Sequence, residues 1–454
     1  MNWTRRDLLK AGGLSLLGLG VDSFVPAFLR RRLLAAPQEL AQKKMVFIFQ
    51  RGGNDGINTV IPYGDPEYNV STRPTLYIPE NLGLDLGNGF AGLHPRLEPL
   101  LEIYNHSSLN GVDGPGNLAV IHPVGYSGQS QSHFDSQQYW ENGMPGNDSD
   151  EGMLYRQVAA MTDFRSNRFP AASISSSQMV ALKGPLPIPT LRTASSFRFD
   201  VPVARSDKFL GALPPSSGSA GGRGLLGAYG GPRDFPGKPY RDLVYGTGLA
   251  LADAMNVVRA ALEQGPYTPQ NGAEYPSGSF GEKLLEAAML LKRTPVRIVG
   301  VNIGGWDLHT RQGAANGSHG SLLEDLAEGY RALYLDLQDQ WEDLLIVNMT
   351  EFGRTSKENG SQGTDHADAT CMLIAGGGVR GGVYNCDDTT WAAGDIFSRR
   401  GRYLERRTDF RAVFAEIFVK HFGDDPSILE EVIPGYTAAK NANPSDFVPL
   451  DFLV

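Results

Sequence analysis

The residues best suited to chemistry in this chain stand just beyond apolar runs. Residues 297–310 read RIVGVNIGGWDLHT. Ile298, Val299, Val301 and Ile303 make a run rich in β-branched residues, Gly304 and Gly305 end it, and Asp307 and His309 follow. A buried strand that ends in glycines delivers side chains to the carboxyl edge of a sheet, where ligands bind in open α/β folds. Asp and His two apart in an extended segment project the same way. A carboxylate and an imidazole facing one point suit a divalent metal. The same two residues also serve as a hydrogen-bonded pair at a strand end.

Two further runs end alike. KMVFIFQ at Lys44–Gln50 leads to Arg51, two glycines, Asn54 and Asp55. DLLIVNM at 343–349 leads to Thr350, Glu351, Phe352, Gly353 and Arg354. GTDHAD at 363–368 brings His366 in front of another apolar run. Carboxylates gathered at one sheet edge repel, at a cost of several kcal/mol unless a cation or an arginine offsets it. The expected metal ligands are therefore Asp307, His309, His366, Asp55 and Glu351. Such a set suits zinc, manganese, iron, magnesium or calcium and leaves the metal open. The chain has only two cysteines, Cys371 and Cys386, so a thiolate zinc site and a disulfide framework are both excluded. One disulfide and two free thiols both stay open.

Residues 128–141, GQSQSHFDSQQYWE, pass from a polar loop into an aromatic-bearing helix. Ser132 can cap that helix through the residue three later. A helix start also favours anions, so beside the plain cap, the commoner role of such a serine, Ser132 is a candidate nucleophile or substrate contact. His133 is a candidate ligand or proton carrier, or it packs beside Phe134. Arg51 and Arg354 match phosphate or sulfate oxygens in pairs. Arg51 and Asn54 are the expected substrate-binding residues, and Ser132, His133 and Arg354 the expected catalytic ones.

The supporting elements follow from periodicity. Lys44–Gln50, 117–122, 169–175, 296–303, 343–349 and 369–375 read as buried strands. Helical periodicity fills 152–161, 240–292 and 321–338, and 408–421 carries one apolar face. Residues 57–62 read as a short extended piece. Helix followed by strand, repeated, predicts an α/β fold with a mostly parallel sheet and helices on both faces. Residues 182–240 are dense in Pro, Gly and Ser and predict an insertion with little regular structure. The remainder, 44–454, reads as a single domain around that insertion. With 454 residues and a net charge of −9, the chain is large enough for a full core and a poor partner for nucleic acid.

The N-terminus reads as an address. Arg5-Arg6 followed by Leu8-Leu9-Lys10 and a weakly apolar, Gly-rich stretch is similar to a twin-arginine signal over 1–36, with cleavage near Ala36. It predicts the twin-arginine export machinery as a partner and a periplasmic or cell-surface location. Left uncleaved, the segment would be the chain's one tie to the membrane.

The order RGGNDG, SHFDSQQYWENG, GGWDLHT, TEFGRT, GTDHADA resembles the DUF1501 family of exported bacterial proteins. That family is similar in layout to the alkaline phosphatase/sulfatase superfamily. The resemblance implies an alkaline-phosphatase-like fold in which Asp307, His309 and His366 share one metal. It places Asp55, Ser132 and Glu351 near the second metal, with Phe352 where the superfamily has histidine. No cysteine stands in a Cys-x-Pro-x-Arg setting, which argues against a formylglycine sulfatase. The expectation is an exported metal-dependent hydrolase of an anionic phosphate or sulfate ester, small or polymeric. The altered second site makes a non-catalytic binding or assembly protein on the same scaffold the alternative. A Ser-His-Asp esterase built on Ser132 is the third reading, and it lacks a Gly-x-Ser-x-Gly elbow.

Overall fold

KMVFIFQ forms β1 (Lys44–Gln50), buried from Met45 to its end. The structure is a computed structural model that describes residues 43–105, 116–161, 167, 169–185, 187–197 and 241–454, with backbone alone at 241–246 and 249. The expected signal at 1–36 and residues 198–240 of the insertion lie outside the described residues.

The further strands are β2 (Val60–Pro62), β3 (Leu84–Asp85), β4 (Ala91–Leu93), β5 (Leu118–Gly125), β6 (Ala171–Ile174), β7 (Thr190–Leu191), β8 (Ile298–Ile303), β9 (Leu344–Thr350), β10 (Thr370–Gly376), β11 (Gly382–Tyr384) and β12 (Thr408–Asp409). The main sheet runs β11-β5-β10-β9-β1-β8-β6-β7, with β12 paired to β5. β1 pairs in parallel with both β8 and β9, and β6 pairs in parallel with β8. β10 alone runs against the rest, antiparallel to β9 and to β5. The sheet is thus mixed and mostly parallel.

Register decides what reaches the carboxyl edge. Gln50 lies level with Ile303 on one side and Thr350 on the other. The chain therefore leaves β1, β8 and β9 side by side, at Arg51, Gly304 and Glu351. Because β10 is reversed, its beginning lies at the same edge. The segment before it, carrying His366, never has to cross the sheet.

Alternation along β1 sends Val46 and Ile48 to one face and Met45, Phe47 and Phe49 to the other. The flanking helices are α1 (His133–Asn142), α2 (Met153–Ala160), α3 (Arg241–Glu263), α4 (Ser279–Arg293), α5 (Ser318–Asp336) and α6 (Phe410–Glu416). Leu284 and Leu291 of α4 and Leu326 and Leu333 of α5 pack with Val46, while Trp140 of α1, Leu154 of α2 and Phe414 of α6 pack with Phe47. Both faces are covered, which is why the strands read as continuous apolar runs.

Three details differ from the sequence reading. Gly56–Thr59 is one helical turn rather than an extended piece, because the Asp55 carboxylate accepts the Asn58 N–H. Val60–Pro62 then joins β4 and β3 in a separate small sheet. Within the expected irregular insertion, Thr190–Leu191 adds the edge strand β7 beside β6. Cys371 and Cys386 are both buried free thiols. Among the described residues no helix is long and apolar enough to cross a membrane.

Candidate metal centre

Asp307 is the point on which the edge loops converge. Its Oδ1 lies 3.0 Å from His309 Nε2, 3.2 Å from His366 Nε2 and 2.7 Å from Arg354 Nη2. Its Oδ2 lies 3.4 Å from His133 Nε2. His133, Asp307 and His366 each offer a ligand atom, all within 4.8 Å of one another. Three segments supply them: the start of α1, the loop after β8, and the loop before β10.

The second nitrogen of each ring decides what the first can do. His309 Nδ1 lies 3.1 Å from the Asp365 carboxylate, His366 Nδ1 lies 2.8 Å from the Gln131 carbonyl, and His133 Nδ1 lies 2.9 Å from the Glu351 carboxylate. All three partners only accept, so each Nδ1 carries the hydrogen and each neutral ring presents a bare Nε2 inward. Yet His309 Nε2 and His366 Nε2 stand 3.0 Å apart. His133 Nε2 is buried with no hydrogen-bond partner. Lone pairs and a carboxylate aimed at one region repel unless positive charge lies among them.

A divalent cation fits this arrangement. Ligand atoms about 2.1 Å from a tetrahedral ion stand about 3.4 Å from one another. The separations around Asp307 run from 3.0 to 3.4 Å. Histidine ligands whose outer N–H groups are held by carboxylates and a carbonyl are the usual outer shell of such sites. The Glu351 hydrogen bond raises the His133 pKa, against the opposing effect of burial. Burial lowers that of His366. Burial opposes ionisation of Asp307, but the hydrogen bond and charge of Arg354 outweigh it and hold the carboxyl at about 2.

Not every expected ligand joins the cluster. Asp55 is buried and paired with the equally buried Arg73, Oδ2 to Nη1 2.6 Å, and it accepts Gln312 Nε2 at 2.6 Å. Its carboxylate is satisfied within the fold, and it is no ligand here. Glu351 is also buried, and its Oε1 accepts from Gly52 N–H at 2.8 Å and Gln137 Nε2 at 2.9 Å besides His133. It holds a ring rather than meeting the cation position. Phe352 packs under that ring and under His366, with centroids 4.9 and 4.4 Å away.

The expected anion holders are likewise engaged. Arg354 is fully buried and donates to the carbonyls of Gly52, Gly53, Thr364 and Trp306 as well as to Asp307. It clamps the loops and does not face a substrate. Arg51 pairs with buried Glu141 at 2.5 Å and donates to Asn302 and Gln137. Asn54 is buried, its Oδ1 against Thr59 Oγ1 and His319 Nε2, and does not reach a substrate either. Ser132 caps α1, with its Oγ 3.5 Å from Asp135 N.

Residues that sequence reasoning passed over are the outer partners: Asp365, Gln131, Gln137, Glu141 and Arg73. Asp365 adjoins His366 in sequence, and Gln137 and Glu141 share a helix face at a spacing of four, which is a readable signal. Arg73 lies in an irregular stretch with no such signal.

The glycines of these loops allow the approach. A Cβ on Gly52, where φ is +127°, would stand 2.4 Å from Asp307 N. A Cβ on Gly363 would stand 2.4 Å from the His309 carbonyl carbon.

No curated protein matches the chain. Residues 245–395, which span β8, Asp307, His309, Glu351, Arg354, Asp365 and His366, match the family model described as "Protein of unknown function (DUF1501)", and that match supports the DUF1501 resemblance over this third of the 454 residues.

Proposed function

We propose that the chain is a metal-dependent hydrolase of phosphate or sulfate esters on an alkaline-phosphatase-like scaffold, exported by the twin-arginine route to the periplasm or cell surface. One observation carries the reading: three imidazoles with outward-fixed Nδ1–H groups turn their Nε2 atoms toward the Asp307 carboxylate. His133, His309, His366 and Asp307 would hold the ion. Three nitrogen donors and one oxygen suit zinc, manganese or iron better than magnesium or calcium. A divalent ion there supplies Lewis-acid polarisation of an ester oxygen and a lowered water pKa.

The protein's own groups orient that site. Arg354 aims Asp307, while Asp365, Gln131 and Glu351 hold the three rings in one tautomer. Asp307 and His309 have half-exposed side chains, so an ester has access. With Asp55 committed to Arg73 and Glu351 to His133, the reading is of one ion, not two. Attack by water is favoured over attack by Ser132, whose hydroxyl caps α1.

The non-catalytic alternative rests on the same facts. Arg354 is buried against four carbonyls, Arg51 is paired with Glu141, and the residues expected near a second metal, Asp55 and Glu351, are held by Arg73 and His133. The distinguishing experiment is turnover of p-nitrophenyl phosphate and p-nitrophenyl sulfate by zinc-, manganese- and iron-loaded protein. Turnover that chelator and Asp307→Ala both abolish supports the hydrolase. A tightly bound ion with no turnover of any ester supports the binding protein. Turnover untouched by chelator would return the Ser132 esterase.

A further inference from the structure

Residues 399–411 carry six arginines against two acids, in a protein of net charge −9. Four of them are neutralised: Arg399 meets Asp368, Arg406 meets Asp446, Arg407 meets Asp395 and Arg411 meets Asp409. Arg400 has no acidic partner among the described residues. Arg402 reaches Asp365 at 3.7 Å, and its side chain is 58% exposed.

Both stand on one tight turn. Arg399 and Tyr403 form an antiparallel bridge, and Arg402 N–H donates to the Arg399 carbonyl at 3.1 Å. φ is +57° at Arg400 and +66° at Gly401. Two successive left-handed residues make a hairpin turn whose first central position favours Asn, Asp or Gly. An arginine there costs free energy that glycine would avoid. What it adds is a charge at the tip of a short, braced turn, and such breaches of a local rule are expected where function sets the residue.

The turn lies beside the metal centre. Asp365 meets Arg402 through Oδ2 and His309 through Oδ1. Asp368 meets Arg399 through Oδ2 and Gln131 through Oδ1, and the Gln131 carbonyl orients His366. Two residues beyond His309, exposed Arg311 (φ +48°) also has no acidic partner among the described residues.

We propose that Arg400 and Arg402 form a rim that grips a second anionic group of the substrate. The preferred substrate is then a polyanion carrying several phosphate or sulfate esters, not an isolated monoester. This rests on the hydrolase reading of the centre, but the rim is tested by binding alone. The probes are a sulfated and a phosphorylated dextran oligomer, titrated into full-length protein beside methyl sulfate and methyl phosphate. The test variant is Arg400→Gly with Arg402→Ser, since glycine fits the left-handed position and unfolding is readily checked by circular dichroism.

The expected result is a loss of about tenfold or more in oligomer affinity, since charge-assisted hydrogen bonds are removed. Single-group affinity should stay unchanged, and whichever oligomer shows the loss identifies the ester. Asp307→Ala, which strips the centre, should weaken single-group and oligomer binding alike but leave the oligomer bound more tightly than the single groups. Wild-type protein that binds neither oligomer, or a folded double variant that binds both as wild type does, would overturn the rim. Failure of the hydrolase reading looks different: no turnover, with oligomer affinity still dependent on the two arginines.

Discussion

Arg354 Nη2 lies 2.7 Å from Asp307 Oδ1, and the guanidinium is wholly buried while the carboxylate is half exposed. The same guanidinium donates to carbonyls in the loops after β1 and β8 and before β10. One side chain therefore fixes where three loops meet and which way Asp307 points. Arg354→Met would leave those carbonyls without their donor and is expected to cost about 3–5 kcal/mol. Arg354→Lys should recover little, because an ammonium cannot fork between loops. Urea unfolding of the variants measures both, and a variant as stable as wild type would remove Arg354 from this role.

Glu351 would act on a bound cation through His133. Burial raises its pKa, but hydrogen bonds from His133 and Gln137 outweigh burial and keep it ionised. Glu351→Gln keeps the shape and loses the charge that holds the His133 tautomer. Metal affinity should fall about 10- to 100-fold, as for other outer-shell changes, without being abolished. Competition with a chelator of known affinity gives the number, and an unchanged value would contradict the assignment.

The Asp55–Arg73 pair predicts a pH dependence apart from the metal. Burial alone would raise the Asp55 pKa, yet the Arg73 charge and hydrogen bonds overcome it and lower the pKa from 3.8 to about 2. A carboxyl with a depressed folded pKa stabilises the fold above its unfolded value and stops doing so as pH falls through the folded one. This contribution is therefore complete above about pH 4 and lost toward pH 2, with a size of roughly 2 kcal/mol. Asp55→Asn should lower stability at pH 7 and converge with wild type at pH 2. Parallel stability curves for the two proteins would rule this out.

Gly52→Ala tests the close approach of the loops after β1 and β8. The new Cβ would meet the Asp307 nitrogen at 2.4 Å, in a backbone conformation that L-residues rarely adopt. A cost of about 2–4 kcal/mol is expected, together with weakened metal binding. Gly128→Ala is the comparison, since φ there is +76° but nothing lies within 4 Å of its Cβ. It should cost about 1 kcal/mol and leave the metal site intact. Equal thermal shifts in the two variants would show that close contact does not matter at Gly52.

Sequence alone carried the sheet and part of the centre. Continuous apolar runs mark strands covered on both faces, so β1, β8, β9 and β10 were legible, and Asp307, His309 and His366 stand where such strands begin or end. The direction of β10 was not legible, because apolar content does not encode polarity. That reversal brings His366 to the same edge as Asp307. Asp55 and Glu351 also stand past strand ends, but each found a partner that spacing could not reveal. Arg73 lies in an irregular excursion, and His133 meets Glu351 across 218 residues. Arg354 looked like an anion holder because charge is visible in a sequence, while burial against four carbonyls is not.

The most direct test of the central claim is the metal content of full-length protein purified from an exporting host, measured by elemental mass spectrometry. The account predicts about one divalent transition ion per chain, and none in Asp307→Ala that remains folded. Wild-type protein that stays metal-free after incubation with zinc, manganese and iron would contradict it, and so would a folded Asp307→Ala variant that retains its ion in full.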